Sequence, residues 1–125
     1  MLMFNPKLNG GKVLWTNSSP SSNFNAGTIN LNSDDYDVLE IFFKNNSGET
    51  NVMSQKTLKG YSTRLQCDIS ANNTIYHRFR NLTRVNDKQF TASSGYQQTS
   101  SAGSYSQADS SIVPIFIVGY KTGLF

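Results

Sequence analysis

The sequence predicts an all-β fold, an antiparallel β-sandwich or jelly-roll-like single domain, on three observations. The first is composition. Ser, Thr and Asn together make 41 of the 125 residues, and only 15% are charged, against about 25% in an average soluble domain. These side chains compete for backbone hydrogen bonds inside helices and are at home in turns and on exposed strand faces. The second is patterning, since apolar residues recur with a period of two and no stretch longer than a turn has a helical repeat. The third is spacing. Seven or eight short apolar segments are separated by polar turn clusters, as in sandwiches and jelly rolls. Aromatic residues at 12% argue for a folded chain, and 125 residues suit one core. We divide the chain into a lead-in, 1–11, and a β-sandwich domain, 12–125.

Each element follows from local signals. Pro6 and Gly10-Gly11 punctuate the lead-in, and Lys12–Thr16 reads as a short strand. A Ser/Asn/Pro loop over 17–25 precedes Gly27–Leu31, which alternates apolar and polar residues. Asn32–Asp35 is a turn. In 37–44, Leu39, Ile41 and Phe43 share one face, and Val38, Glu40, Phe42 and Lys44 share the other. Asn45–Gly48 turns the chain into a weaker strand over 51–58. Thr63, Leu65, Cys67 and Ile69 then alternate with Arg64, Gln66 and Asp68, the mark of a half-buried antiparallel strand. After Ala71-Asn72-Asn73, a strand over 74–84 places Ile75, His77 and Phe79 on one face. A short strand at 88–92 follows the Asn86-Asp87 turn. Residues 93–111 are Ser, Gly, Gln and Tyr without apolar periodicity and read as a long loop. The last strand, 112–120, is apolar on both faces. Pro114 cannot donate to a ladder, so this strand is expected at an edge or to begin late.

Several functions have no support. The net charge is +3 and no polybasic run exists, so nucleic-acid binding is not expected. Arg78 and Arg80 read as part of a solvated outer strand face. A lone Cys67 cannot form an intramolecular disulfide and reads as a small buried hydrophobe. No Cys/His set has metal spacing. Asp34, Asp35 and Asp37 read as a solvated turn rather than a calcium loop. His77, the only histidine, reads as a satisfied core or interface residue, and Trp15 as core. No catalytic residues, metal or cofactor are expected, and the chain is not expected to be an enzyme. The N-terminus lacks a basic region and a long apolar run, predicting synthesis in the cytoplasm without a secretion signal and no membrane insertion.

Two features point to partners. A strand apolar on both faces needs cover on both, and Val38 and Phe42 make the same demand. We therefore expect an oligomer interface at Val38, Phe42, Val113, Ile115 and Ile117. In the 93–111 segment, Tyr96, Gln97, Gln98 and Tyr105 have the chemistry of a sugar site, with rings to stack on pyranose faces and amides to bond hydroxyls.

The sequence also resembles a known module. Lys12–Asn17 with its Trp, the loop Ser18–Phe24, Gly27–Leu31 and Asp35–Ile41 are similar to the C-terminal domains of tail-fibre and minor structural, receptor-binding proteins of phages infecting Gram-positive bacteria. Val113–Lys121 stands in place of that family's closing Pro-x-x-Ile-x-Gly-x-Lys pattern. The similarity covers both ends and reaches 50–110 only by general character. The tail Thr122–Phe125 departs from it. The resemblance implies a homotrimer, contacts with other virion proteins, and a place in the virion. The expected function is thus a tail-fibre or head-fibre type domain for host attachment through cell-wall carbohydrate, or for virion assembly. The alternative is a monomeric carbohydrate-binding module of a secreted or wall-associated enzyme.

Overall fold

A computed structural model describes residues 7–101 and 103–123, all in strands, turns and connections. The strands are β1 (Lys7–Thr16), β2 (Gly27–Asn30), β3 (Val38–Asn46), β4 (Val52–Leu58), β5 (Thr63–Ala71), β6 (Thr74–Asn86), β7 (Gln89–Ala92), β8 (Tyr96–Thr99), β9 (Ser106–Gln107) and β10 (Ser111–Gly123). All pairings are antiparallel. The expected all-β sandwich is what the chain forms. Part of the expected lead-in belongs to it, because Lys7, Leu8 and Asn9 already pair with β10. Residues 1–6 lie outside the described residues.

One sheet has the order β1-β10-β3-β4. In the other, β5 flanks one edge of the long β6, while β7 and β8 lie end to end along its other edge, continued by β2 and β9. Over long range β1 meets β10, β2 meets β7 and β3 meets β10, the last crossing the β2–β7 pairing, while β3–β4, β5–β6 and β6–β7 are hairpins. Between the sheets, Leu14, Leu39, Ile41, Phe43 and Ile117 meet Ile29, Leu65, Leu82, Phe90 and Ala92. Each is at most 2% exposed, so the alternating residues read from the sequence do form the core. Trp15 is half-buried against this core, with its ring edge-on to Phe24 at 5.9 Å. Cys67 also packs against it, and burial pushes its thiol pKa up.

β10 is central, contrary to the edge position expected from Pro114. Up to that point it has only β3 as a neighbour, since β1 pairs from Phe116 onward, and a bulge separates Pro114 from Phe116. The missing N–H therefore falls where the ladder is one-sided and irregular. The bulge also sets the faces. Ile117 points into the core opposite Ile41, while Phe116 and Val118 lie opposite Phe42 and Glu40 on the outer face. Phe42 and Phe116 stack there at 4.4 Å. Val38 is only 7% exposed, and Val113 and Ile117 0%; Phe42 and Ile115 are half-buried. Val113, opposite Lys44, lies on the outer side although it is fully covered, and beyond the bulge that side is Phe116, Val118 and Tyr120 rather than Ile115 and Ile117.

The acidic turn holds the end of β10. Asp35 pairs with Lys121 at 2.9 Å, and the Asp37 carboxylate accepts from the Thr122 N–H at 2.9 Å. These contacts hold both carboxyls below their ordinary pKa. Glu40 accepts from Ser54 Oγ at 2.7 Å and Tyr120 Oη at 2.8 Å, across three strands of the first sheet.

The residue furthest from its expected setting is Arg80. It is 0% exposed instead of solvated. Its Nε donates to the Ile112 carbonyl at 2.7 Å and its Nη1 to Ser93 at 2.6 Å. Its Nη2 donates to Ser111 at 3.0 Å and Asp109 at 3.2 Å. Burial dominates its electrostatics and lowers its pKa to about 10, so it stays charged at neutral pH. The cause of the inversion is hairpin register. Asn72 and Asn73, with φ of 51° and 60°, form a two-residue turn. That turn sets Leu65 opposite Arg80 and Cys67 opposite Arg78, so the apolar face of β5 shares its side with the arginines.

Two backbone features support the clamp. A Cβ on Gly95 would lie 2.4 Å from the Ala108 and Ser111 carbonyl oxygens. Ile112 has φ of 51°, a conformation costing a β-branched residue about 1–3 kcal/mol. Its carbonyl is the one Arg80 Nε holds.

Arg80→Ala would take the guanidinium from four carbonyls, those of Ile112 and Ser111 buried, and leave a cavity. We expect a loss of about 3–5 kcal/mol in the denaturant-unfolding free energy. Gly95→Ala should destabilise the same unit, because its methyl would crowd the Ala108 and Ser111 carbonyls and also lie 2.9 Å from Arg80 Nη2. For Glu40, a lowered folded pKa contributes stability that is present above its ordinary 4.5 and lost as pH falls through the lowered value. Urea midpoints from about pH 6 to about pH 3 should therefore fall more steeply in the wild type than in Glu40→Gln.

Candidate functional site

The Arg80 clamp fixes both ends of the segment read as a loop. Between Ser93 and Ser111 the chain forms β8 and β9, which extend the second sheet beside β6. Periodicity could not reveal these strands, because neither carries an apolar face; they exist because β6 offers them a free edge.

The pairing builds an array on the outer side of this sheet, away from the core. Gln66 on β5, Phe79 on β6, Tyr96 on β8 and Gln107 on β9 are aligned across the strands. The next row holds Asp68, His77 and Gln98. Tyr96 stacks on Phe79 with centroids 5.3 Å apart, and Tyr105 meets the same ring edge-on at 4.9 Å. The Arg64 guanidinium lies 4.3 Å from the Phe79 centroid and donates from Nε to Asn81. Phe79 is thereby 6% exposed, whereas Tyr105 remains 54% exposed. The rings available to a ligand are the tyrosines, and Phe79 is the base they rest on.

His77 is on this outer face and not in the core. Its Nδ1 is hydrogen-bonded to Asp68 Oδ1, directly opposite on β5. Its ring lies 5.7 Å from Phe79. On the far side of His77 is a shallow cleft of about 400 Å³, lined by Ile75, Gln98, Thr99, Ser100 and Gly103 as well as His77. Ser100 Oγ accepts from the Ile75 N–H at 3.0 Å, and Gln98 Nε2 donates to the Gly103 carbonyl at 3.4 Å.

Of the four residues singled out by chemistry, the structure brings three together. Tyr96 and Tyr105 form the platform and Gln98 lines the cleft. Gln97 is on the opposite side of β8, where its Oε1 accepts from Arg78 Nε at 2.8 Å. Sequence reasoning missed Phe79, His77, Asp68 and Arg64, because they reach the site only through the pairing of β6 with β8. The Asn72-Asn73 turn was the available signal, since counting outward from it puts Asp68 opposite His77 and Gln66 opposite Phe79.

Chemically the site offers ring faces, amide groups and hydroxyls around one His–Asp pair. It suits a ligand with alternating C–H faces and hydroxyl groups. Compared with protein-family models, curated proteins and solved structures, the chain matches none.

Proposed function

We propose that this domain is a phage virion module, of tail-fibre or head-fibre type, that attaches to host cell-surface carbohydrate through the outer face of β6, β8 and β9. The observation that carries the binding part is the platform of half-buried Tyr96 and exposed Tyr105 on Phe79, with Gln98 and the cleft on the same sheet. Pyranose rings stack their C–H faces on such aromatics while amides and hydroxyls bond the ring substituents. The virion part rests on the resemblance of the end segments to phage receptor-binding domains.

The outer face of the other sheet supports self-association. Val13, Val52 and Leu58 are 52%, 48% and 57% exposed there, around the Phe42–Phe116 stack. This face also carries Glu40 paired with Lys56, so contacts with further copies or with other virion proteins would join apolar and charged groups.

Tyr105→Ala should weaken binding to purified wall polysaccharide of Gram-positive bacteria by about tenfold, the scale of one lost aromatic contact. Calorimetric titration checks this, with an unchanged melting temperature as the control; an unaltered affinity would remove the platform from the binding site. Light scattering should return about 42 kDa for three 13.9 kDa chains, reduced to the monomer by Leu58→Asp. A wild-type monomer that still binds glycan would favour the carbohydrate-binding module of an enzyme.

A further inference from the structure

We propose that the cleft beside His77 is a subsite for a neutral pyranose, in which Asp68 fixes His77 so that Nε2 accepts a hydrogen bond from a ligand hydroxyl. The inference rests on the glycan-binding reading above and adds to it the residues that read hydroxyl groups.

A carboxylate can only accept, and in a neutral imidazole one nitrogen donates while the other accepts. In the neutral ring, the Asp68 contact at Nδ1 places the proton on that nitrogen and makes Nε2 the acceptor. Phe79 packs on the ring and limits its rotation. Among the described residues, Nε2 has no protein hydrogen-bond partner, and His77 itself lines the cleft.

The other walls complement that acceptor. Ser100 Oγ uses a lone pair on the Ile75 N–H, so its own O–H is available to donate into the cleft. Gln98 spends its Nε2 on Gly103 and keeps its carbonyl oxygen as a second acceptor. Ile75, 53% exposed, supplies an apolar wall for a C–H face. A volume of about 400 Å³ is within the roughly 300–1,000 Å³ of small-molecule sites. Apart from His77, no ionisable side chain among the described residues lines the cleft, which suits a neutral sugar. Asp68 is a positioning residue, 65% exposed in its side chain, so its replacement does not threaten the core.

Because His77 is the only histidine, its ring nitrogens give unobscured signals. Long-range ¹H–¹⁵N spectra of the full chain at mildly alkaline pH would be recorded alone and with cellotetraose or chitotetraose. The Nδ1–H tautomer is expected in the free protein. Addition of at least one tetrasaccharide should shift the Nε2 resonance together with the Gln98 side-chain amide. Asp68→Asn can donate to Nδ1 and so releases the tautomer. It should lower affinity about five- to tenfold, the worth of one hydrogen bond, with the melting temperature unchanged. An Nε2–H tautomer in the free protein would overturn the proposal. So would a silent His77 while the Tyr105 ring signals move, which would leave the platform reading standing. No response at either place with both sugars would overturn the two readings together.

Discussion

The structure depends on a buried cation held by main-chain carbonyls, with the Asp109 carboxylate near enough to favour its charge. Arg80 sits inside the sandwich, and its guanidinium is satisfied by main-chain carbonyls of Ser93, Asp109, Ser111 and Ile112. A planar group with five donors suits this task, since it can hold several carbonyls that no regular ladder would satisfy. The carbonyls belong to the connection that leads into β8, the connection that leaves β9 and the first two residues of β10. One side chain on β6 thus fixes where the β8–β9 hairpin leaves the core and where β10 enters the opposite sheet. The strained Ile112 and the crowded Gly95 persist because the clamp over-determines both. The aromatic platform is carried by the hairpin, so its geometry is set from within the core.

Much of the scaffold was legible in the sequence because its signals are local. Leu39, Ile41 and Phe43 alternate with polar or outward residues, and a period of two means the same thing wherever the strand ends up. Thr63–Ile69 carried an equally plain pattern. What periodicity could not supply was the pairing between patterns. His77 and Phe79 were correctly placed on one face of their strand, but that face looks outward, because the Asn72-Asn73 turn aligns Arg80 with Leu65. A register of one residue decides which side of a strand is buried. Here it puts a charged residue inside and two aromatic rings outside, against the preference of the residues taken singly.

The candidate site was half legible for the same reason. Tyr96, Gln98 and Tyr105 stood out by chemistry in a stretch without apolar pattern. Gln97 has the same chemistry and faces the other way, which only the strand assignment of Tyr96–Thr99 reveals. Asp68 and Arg64 are more than twenty residues away in sequence and carry no signal of their own. They join the site through a sheet whose outer strands are held by backbone pairing and by the clamp instead of by apolar side chains. On β10 the obstacle was different. The bulge after Pro114 shifts alternation by one, so a reading that kept strict alternation exchanged the two faces of the strand.

The position of β10 also governs when the fold can close. It fills the gap between β1 and β3, and it is the last of these strands to be synthesised. Among the described residues β1 has no other partner in that sheet, so without β10 both the β1 ladder and the inner ladder of β3 are lost together.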